Sequence, residues 1–151
     1  MNSDFKELLS LLEKHRVRYL VVGGYAVMYY TEPRYTKDLY IVVGVSELDI
    51  EGLSSALAEF GYPLTESQVE QWREPDRMIT LGVPPSRIVL LNQLAGVDFE
   101  AAWERRQTVN VGGQSVSFVS SDDLILAKRA AGRPQDHLDL PKLEQAAKRQ
   151  R

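Results

Sequence analysis

Two neighbouring glycines give the clearest chemical signal in the sequence. Gly23 and Gly24 follow a short apolar run and precede a segment with helical spacing, which predicts a turn between a strand and a helix. Glycines at such a turn let backbone amides approach a phosphate closely, and the start of the helix adds a favourable dipole. We therefore predict a phosphate-binding turn. The alternative is a tight turn that needs positive φ and holds no ligand.

An aspartate lies where a metal ligand would be expected. Asp38 comes fourteen positions after Gly24, at the start of an apolar run that predicts a buried strand. Alternate residues of a strand share a face, so an Asp-x-Asp spacing would place two carboxylates side by side to hold Mg²⁺ against a triphosphate. Here Tyr40 occupies the second position. The alternative for Asp38 is a salt-bridge or strand-end role.

The hydrophobic pattern predicts the elements that must position these residues. Strands are predicted at 18–22, 38–43, 78–83, 87–91, 108–111 and 115–119, and helices at 5–12, 25–30, 50–60, 99–106, 120–131 and 134–148. Residues 65–76 are polar and weakly periodic, which indicates a loop or a short helix. This order of elements predicts an α/β fold in one domain over residues 1–151.

Composition narrows the classes of function. The chain of 151 residues is 44% hydrophobic, carries a formal net charge of −3 and has no cysteine. These values are typical of a globular protein, disfavour bulk DNA binding and fit a reducing compartment. No stretch approaches the ~20 apolar residues of a membrane span, and the start lacks a signal-peptide pattern. We expect a cytoplasmic protein without a membrane partner.

Several short motifs, in this order, resemble the minimal nucleotidyltransferases of the DNA polymerase beta-like superfamily. The resemblance is strongest to the prokaryotic branch related to abortive-infection toxins, and it runs nearly end to end. It implies a mixed β-sheet flanked by helices, the nucleotidyltransferase fold, with a short C-terminal helical part. The motifs are Gly23-Gly24, Arg34-x-Thr36-Lys37-Asp38-Leu39, Pro84-Pro85-x-Arg87-Ile88 and Lys128-x-x-x-Gly132-Arg133-Pro134-x-Asp136.

The resemblance also implies an activity and a set of site residues. Members of the superfamily use three carboxylates and Mg²⁺ to transfer a nucleoside monophosphate from a nucleoside triphosphate. Asp38 matches the first carboxylate, whereas Tyr40 stands at the second position and Val89 at the third. We expect nucleotide contacts from Gly23, Gly24, Arg34, Lys37, Arg87, Lys128 and Arg133.

The two substitutions change the expected chemistry. Two-metal catalysis needs carboxylates that anchor ions on the attacking and leaving oxygens. A tyrosine phenol with an ordinary pKa of about 10 stays neutral, and valine offers no ligand. Asp38 alone would hold Mg²⁺ loosely, so we expect little or no transferase activity.

Other polar residues have competing interpretations. Asp98 is a candidate substitute carboxylate, as is Glu100, but the place of Asp98 before Phe99 favours a helix cap. Lys128 shares a predicted helix with apolar residues, which favours a solvated position on the opposite face. His137 lies near two aspartates, at 136 and 139, which suggests a metal site or, more simply, a solvated polar face.

Three functions follow. The leading hypothesis is a catalytically degenerate nucleotidyltransferase-like protein that retains nucleotide or partner binding in the old cleft. The second is an active Mg²⁺-dependent enzyme that transfers a nucleotide to RNA, a protein or a small molecule. The third is an interaction module with an empty cleft.

Overall fold

The computed structural model describes residues 1–149, so the last two residues of the predicted domain lie outside it. Six strands and seven helices occur in these 149 residues. The strands are β1 (Tyr19–Val22), β2 (Leu39–Val43), β3 (Met78–Leu81), β4 (Ile88–Leu91), β5 (Gln107–Val111) and β6 (Gln114–Phe118). The helices are α1 (Ser3–Lys14), α2 (Gly23–Tyr30), α3 (Glu47–Phe60), α4 (Glu66–Trp72), α5 (Phe99–Glu104), α6 (Ser121–Ala131) and α7 (Pro134–Arg149).

The strands form one mixed sheet in the order β3-β4-β2-β1-β6-β5. β2 runs antiparallel to β1 and parallel to β4, and β1 runs parallel to β6. β3–β4 and β5–β6 are antiparallel pairs at the two edges. The predicted α/β class with a mixed sheet and flanking helices is confirmed.

Element boundaries differ from the predictions by a few residues. The uncertain stretch 65–76 contains the short helix α4, which begins because Thr65 and Gln68 form a reciprocal capping box. β1 and β2 each begin one residue later than predicted, so Asp38 precedes its strand. No helix among residues 1–149 has the length and apolar character to cross a membrane.

The central strand β2 is buried on both faces. Leu39, Ile41, Val42 and Val43 are each at most 1% exposed, and only Tyr40 is partly accessible. A continuous apolar run is expected for a strand covered on both sides. This burial makes β2 a rigid support for the residues at its start.

One buried carboxylate joins α3 to the start of β1. Asp49, 2% exposed, accepts hydrogen bonds from the Arg18 backbone amide at 3.0 Å, from Arg18 Nη2 at 2.7 Å and from Ser46 Oγ at 2.8 Å. Ser46 Oγ in turn accepts from the Asp49 amide, which completes a capping box. Burial alone raises the pKa of Asp49, but these hydrogen bonds outweigh it and the net pKa is lowered.

We predict that Asp49→Ala lowers the free energy of unfolding by about 2–4 kcal/mol, because it removes the cap and leaves Arg18 without its buried partner. The control is Glu47→Ala in the same helix turn, where an exposed pair with Arg73 is lost and a change within about 0.5 kcal/mol is expected. Urea denaturation at pH 7 measures both values. Equal effects of the two substitutions would contradict the role of Asp49 as a helix cap and buried partner of Arg18.

Candidate functional site

A cleft opens beside the glycine turn. Its cavity has a volume of about 320 Å³. The start of α2, the segment 31–38, β2 and the first turn of α7 contribute to its wall. The lining residues are Gly24, Arg34, Tyr35, Thr36, Lys37, Asp38, Tyr40 and Gln135.

The strand register places the two substituted positions side by side. In the parallel pair β2–β4, Tyr40 is the Cα partner of Val89, and in β1–β2 it is the partner of Val22, which precedes the glycine turn. Val89 is 5% exposed. A Cβ on Gly23 would lie 3.2 Å from Tyr40 Cβ, so the tyrosine packs directly on the turn. Side chains at positions 40 and 89 are therefore neighbours across β2 and β4.

Asp38 forms a two-point ion pair with Arg87. Arg87 Nε donates to Asp38 Oδ1 at 3.0 Å, and Arg87 Nη2 donates to Oδ2 at 2.8 Å. Each residue precedes one strand of the parallel pair β2–β4, which brings the two side chains together. The hydrogen bond to Asp38 and the charge of its carboxylate raise the pKa of Arg87. The salt-bridge interpretation of Asp38 is therefore observed.

The residues at this position do not fit a two-metal centre. Mg²⁺ prefers hard oxygen ligands at about 2.0–2.1 Å in octahedral geometry. Both Asp38 oxygens already accept hydrogen bonds from Arg87, and the neighbouring positions supply a phenol and an isopropyl group. In the described part of the chain, no three His, Cys, Asp or Glu side chains group closely enough to hold a metal ion.

The glycine turn is tightly packed. Gly23 has φ +66°, as a strand-to-helix turn requires. A Cβ on Gly24 would lie 2.8 Å from Thr36 Cγ2 and 2.9 Å from Thr36 Oγ1, so the residue must be small. No side chain caps the start of α2, and Thr36 Oγ1 is buried without a hydrogen-bond partner among residues 1–149. Phosphate binding at this turn stays a prediction.

Lys128 lies in a buried ion cluster, which corrects the solvated position predicted for it. It is 6% exposed, and its Nζ lies 2.9 Å from Asp136 Oδ1 and 3.2 Å from Asp139 Oδ2. The two aspartates are 0% and 2% exposed, so the prediction of a solvated polar face around His137 is also wrong for them. α6 and α7 pack against each other, and that packing excludes water from the three charges.

The ion cluster reaches the cleft through Arg34. Arg34 Nη1 donates to Asp139 Oδ1 at 2.5 Å, and Gln135 Nε2 donates to the same oxygen at 2.9 Å. Burial raises the pKa of Asp139, and the hydrogen bonds from Arg34 and Gln135 together with the charge of Lys128 bring it below its usual value. Arg34 is thus held by α7 while it lines the cleft.

Arg133 immediately precedes the same helix and remains largely exposed. Its Nε donates to Asp136 Oδ2 at 2.8 Å, and its backbone amide donates to the same oxygen at 3.0 Å. Burial raises the pKa of Asp136, but the hydrogen bonds from Arg133 and Lys128 hold it well below its usual range. The Arg133 side chain is 67% exposed, so part of the guanidinium faces solvent.

The proposed substitute carboxylates are engaged elsewhere. Asp98 Oδ2 accepts from the Ala101 amide at 3.0 Å, which confirms the helix-cap interpretation. Glu100 accepts from Arg18 Nη1 at 2.6 Å, and neither residue lines the cleft. Lys37 does line it, is exposed, and makes no hydrogen bond or ion pair within residues 1–149.

Comparison with known proteins identifies the family and the fold. The family described as nucleotidyl transferase of unknown function (DUF2204) matches residues 1–151. The chain belongs to this family. The predicted membership of the nucleotidyltransferase superfamily is thereby confirmed. None of the curated proteins matches the chain.

Two solved structures of nucleotidyltransferases share the fold. The lincosamide antibiotic adenylyltransferase LnuA, solved with lincomycin bound, has a TM-score of 0.55 at 14% identity, with 95% of this chain and 96% of that one covered. An antigenic nucleotidyltransferase-like protein from Paracoccidioides brasiliensis has a TM-score of 0.54 at 14% identity, with 95% and 74% covered. At this identity the likeness concerns the fold.

Sequence reasoning missed four features of the site. Tyr35 and Gln135 line the cleft, yet neither was singled out. The Asp38–Arg87 pair was missed as well, although each residue begins a predicted strand and parallel pairing of those strands would have suggested it. Arg34 was expected to contact a nucleotide, but its bond to Asp139 had no signal in the sequence, since the two residues lie 105 positions apart.

We predict that Lys128→Met lowers the free energy of unfolding by about 3–5 kcal/mol at pH 7, because two buried aspartates lose their cation. Arg129→Met is the matched control, since that neighbour forms an exposed pair with Glu144 and its loss should cost at most about 1 kcal/mol. Urea denaturation of both variants gives the values.

The pH dependence of the stability difference distinguishes a lost ion pair from lost packing as its cause. With lowered folded-state pKa values, Asp136 and Asp139 contribute their full stability above the unfolded pKa of about 3.9, and the contribution is lost as pH falls below it. Without Lys128 the two pKa values are lowered less, because only Arg133, Arg34 and Gln135 remain to offset burial, so the variant gains less stability than wild type as pH rises. The gap between wild type and Lys128→Met should therefore widen from pH 3 to pH 7. A constant gap would mean that lost packing explains the effect.

Proposed function

We propose that this nucleotidyltransferase family member binds a nucleoside triphosphate in the cleft and has lost metal-dependent nucleotidyl transfer. The observation that carries the proposal is the two-point pair between Asp38 and Arg87, at 3.0 and 2.8 Å, beside Tyr40 and Val89. The one carboxylate that matches the superfamily pattern is neutralised by a side chain of the protein itself. Two-metal catalysis requires anionic oxygens that are free to bind ions.

Local charge supports binding of an anion. The chain as a whole has a net charge of −3, yet cations exceed carboxylates by two around the cleft and its ion cluster. A local positive potential in a concave site attracts phosphate groups more strongly than net charge suggests. The cations are Arg34, Lys37, Arg87, Lys128 and Arg133, and the carboxylates are Asp38, Asp136 and Asp139.

Cavity size and an exposed aromatic residue support a nucleotide as that anion. About 320 Å³ lies at the lower end of the range for small-molecule sites, which fits a ligand that leaves part of itself in solvent. Tyr35 lines the cleft with 82% of its surface exposed. A tyrosine ring at the mouth offers a face on which a base can stack.

The cellular location and a protein or RNA partner are part of the same proposal. We infer a cytoplasmic protein, since a chain without cysteine suits a reducing compartment and cellular nucleotides are found there. A bound nucleotide would then serve as a signal that a protein or RNA partner reads. No acceptor for nucleotidyl transfer is required.

A turnover assay tests the loss of catalysis. Incubation with ATP, CTP, GTP or UTP and Mg²⁺ should release no pyrophosphate above background, while at least one nucleotide should raise the melting temperature, because a ligand specific for the native state stabilises it. Turnover that Asp38→Ala abolishes would establish the active-enzyme alternative. Absence of a thermal shift with all four nucleotides would favour the interaction module with an empty cleft.

Restoring the missing carboxylates tests the alignment of the site. We predict that Tyr40→Asp with Val89→Asp creates measurable Mn²⁺ affinity, because the two positions are partners across β2–β4 and lie next to Asp38. The control is Tyr40→Asn with Val89→Asn, which makes similar changes of shape without charge and should bind no Mn²⁺. Calorimetric titration of Mn²⁺ gives both results. Equal, negligible affinity in the two folded variants would contradict the alignment.

A further inference from the structure

In a metal-dependent nucleotidyltransferase, a cation lies between an aspartate and the phosphates. The cation offsets the charge of both groups and holds the triphosphate in place. In this chain the position next to the matching aspartate is occupied by a guanidinium, which supplies a fixed positive charge without a metal.

We propose that the Arg87 guanidinium takes the place of the metal ion, so that the cleft binds nucleotides in their Mg²⁺-free form. The inference rests on the nucleotide binding proposed above and specifies how the phosphate charge is met. It assigns Asp38 a new role. The aspartate orients Arg87 and does not coordinate a metal.

The geometry leaves Arg87 able to bind a second anion. A guanidinium has five N–H donors, and Asp38 uses one on Nε and one on Nη2. The three other donors make no hydrogen bond with any residue from 1 to 149, and the side chain is 39% exposed. Asp38 lines the cleft and Arg87 does not, so the guanidinium is joined to the cleft by its two hydrogen bonds to a lining residue.

The backbone holds the pair in place. The Leu39 amide donates to the Arg87 carbonyl at 3.0 Å, which fixes the two strand starts relative to each other. Tyr40, which stands at the second carboxylate position, follows Leu39 directly and is the Cα partner of Val89, two residues after Arg87.

Because the protein supplies its own cation, Mg²⁺ should lower the affinity for a nucleoside triphosphate and not raise it. Mg²⁺ on a triphosphate removes part of the charge that Arg87, Arg34 and Lys37 would otherwise attract, and it brings a hydration shell that no free carboxylate here replaces. The metal-free nucleotide should bind more tightly than the Mg²⁺ complex.

Calorimetric titration of the full chain with ATP, CTP, GTP and UTP, in EDTA and in excess Mg²⁺, tests the proposal. We expect the best nucleotide to bind at least about threefold more tightly in EDTA. Arg87→Gln should weaken that binding by at least about tenfold, because charge-assisted hydrogen bonds to phosphate are lost. Arg87→Lys should recover part of it, which shows that the protein tolerates substitution at this position.

Two further variants make the test specific. Arg105→Gln is the matched control, because Arg105 binds Asp123 with the same geometry, Nε at 3.0 Å and Nη2 at 2.8 Å, away from the cleft lining, and its loss should leave nucleotide affinity unchanged. Asp38→Asn should not weaken binding of metal-free nucleotide, since the amide oxygen still accepts a hydrogen bond from Arg87 and a negative charge next to Arg87 is removed. If Asp38 bound a metal instead, Asp38→Asn would weaken nucleotide binding.

The outcomes separate this inference from the proposed function. Binding that requires Mg²⁺, or that falls equally in Asp38→Asn and Arg87→Gln, would overturn the role of Arg87 while nucleotide binding stands. Absence of binding for all four nucleotides under both conditions would overturn the proposed function itself, and the present inference with it. Thermal unfolding of each unliganded variant establishes that it is folded at the titration temperature.

Discussion

The two-point pair between Asp38 and Arg87 is the contact on which the interpretation of the site depends. It exists because β2 and β4 run parallel and adjacent, so residues just before each strand meet at one edge of the sheet. The pair engages both oxygens of the carboxylate that the resemblance matches to a metal ligand, and it places a fixed cation beside it. The proposed loss of transfer and the proposed anion binding both depend on this one interaction.

The rest of the cleft is held by charges that are buried farther back. Lys128 lies between Asp136 and Asp139, and Asp139 holds Arg34 at the cleft wall. A buried charge is tolerated only when it is paired, so each member of this network fixes the position of the next. The network connects the packing of α6 on α7 to the orientation of a cation that lines the site.

The sequence predicted the fold more completely than the site. Continuous apolar runs identified β2 and β4, and the glycine pair with Asp38 located the cleft, because these signals are local. Lys128 was misplaced because the apolar pattern of its helix does not reveal a second helix that covers its polar face. Contacts such as Arg34 with Asp139 depend on tertiary packing across 105 positions and carry no periodicity. The substitutions at 40 and 89 were visible in the sequence, whereas the guanidinium that accompanies them required the strand order.

The central claim is that Asp38 binds a guanidinium and not a metal while the cleft is occupied. Crystals grown with ATP and Mn²⁺ test it directly, since the anomalous scattering of manganese locates the ion. The account predicts that Arg87 contacts both Asp38 and a phosphate oxygen, with no manganese between them. A manganese ion coordinated by Asp38, with Arg87 displaced, would contradict it.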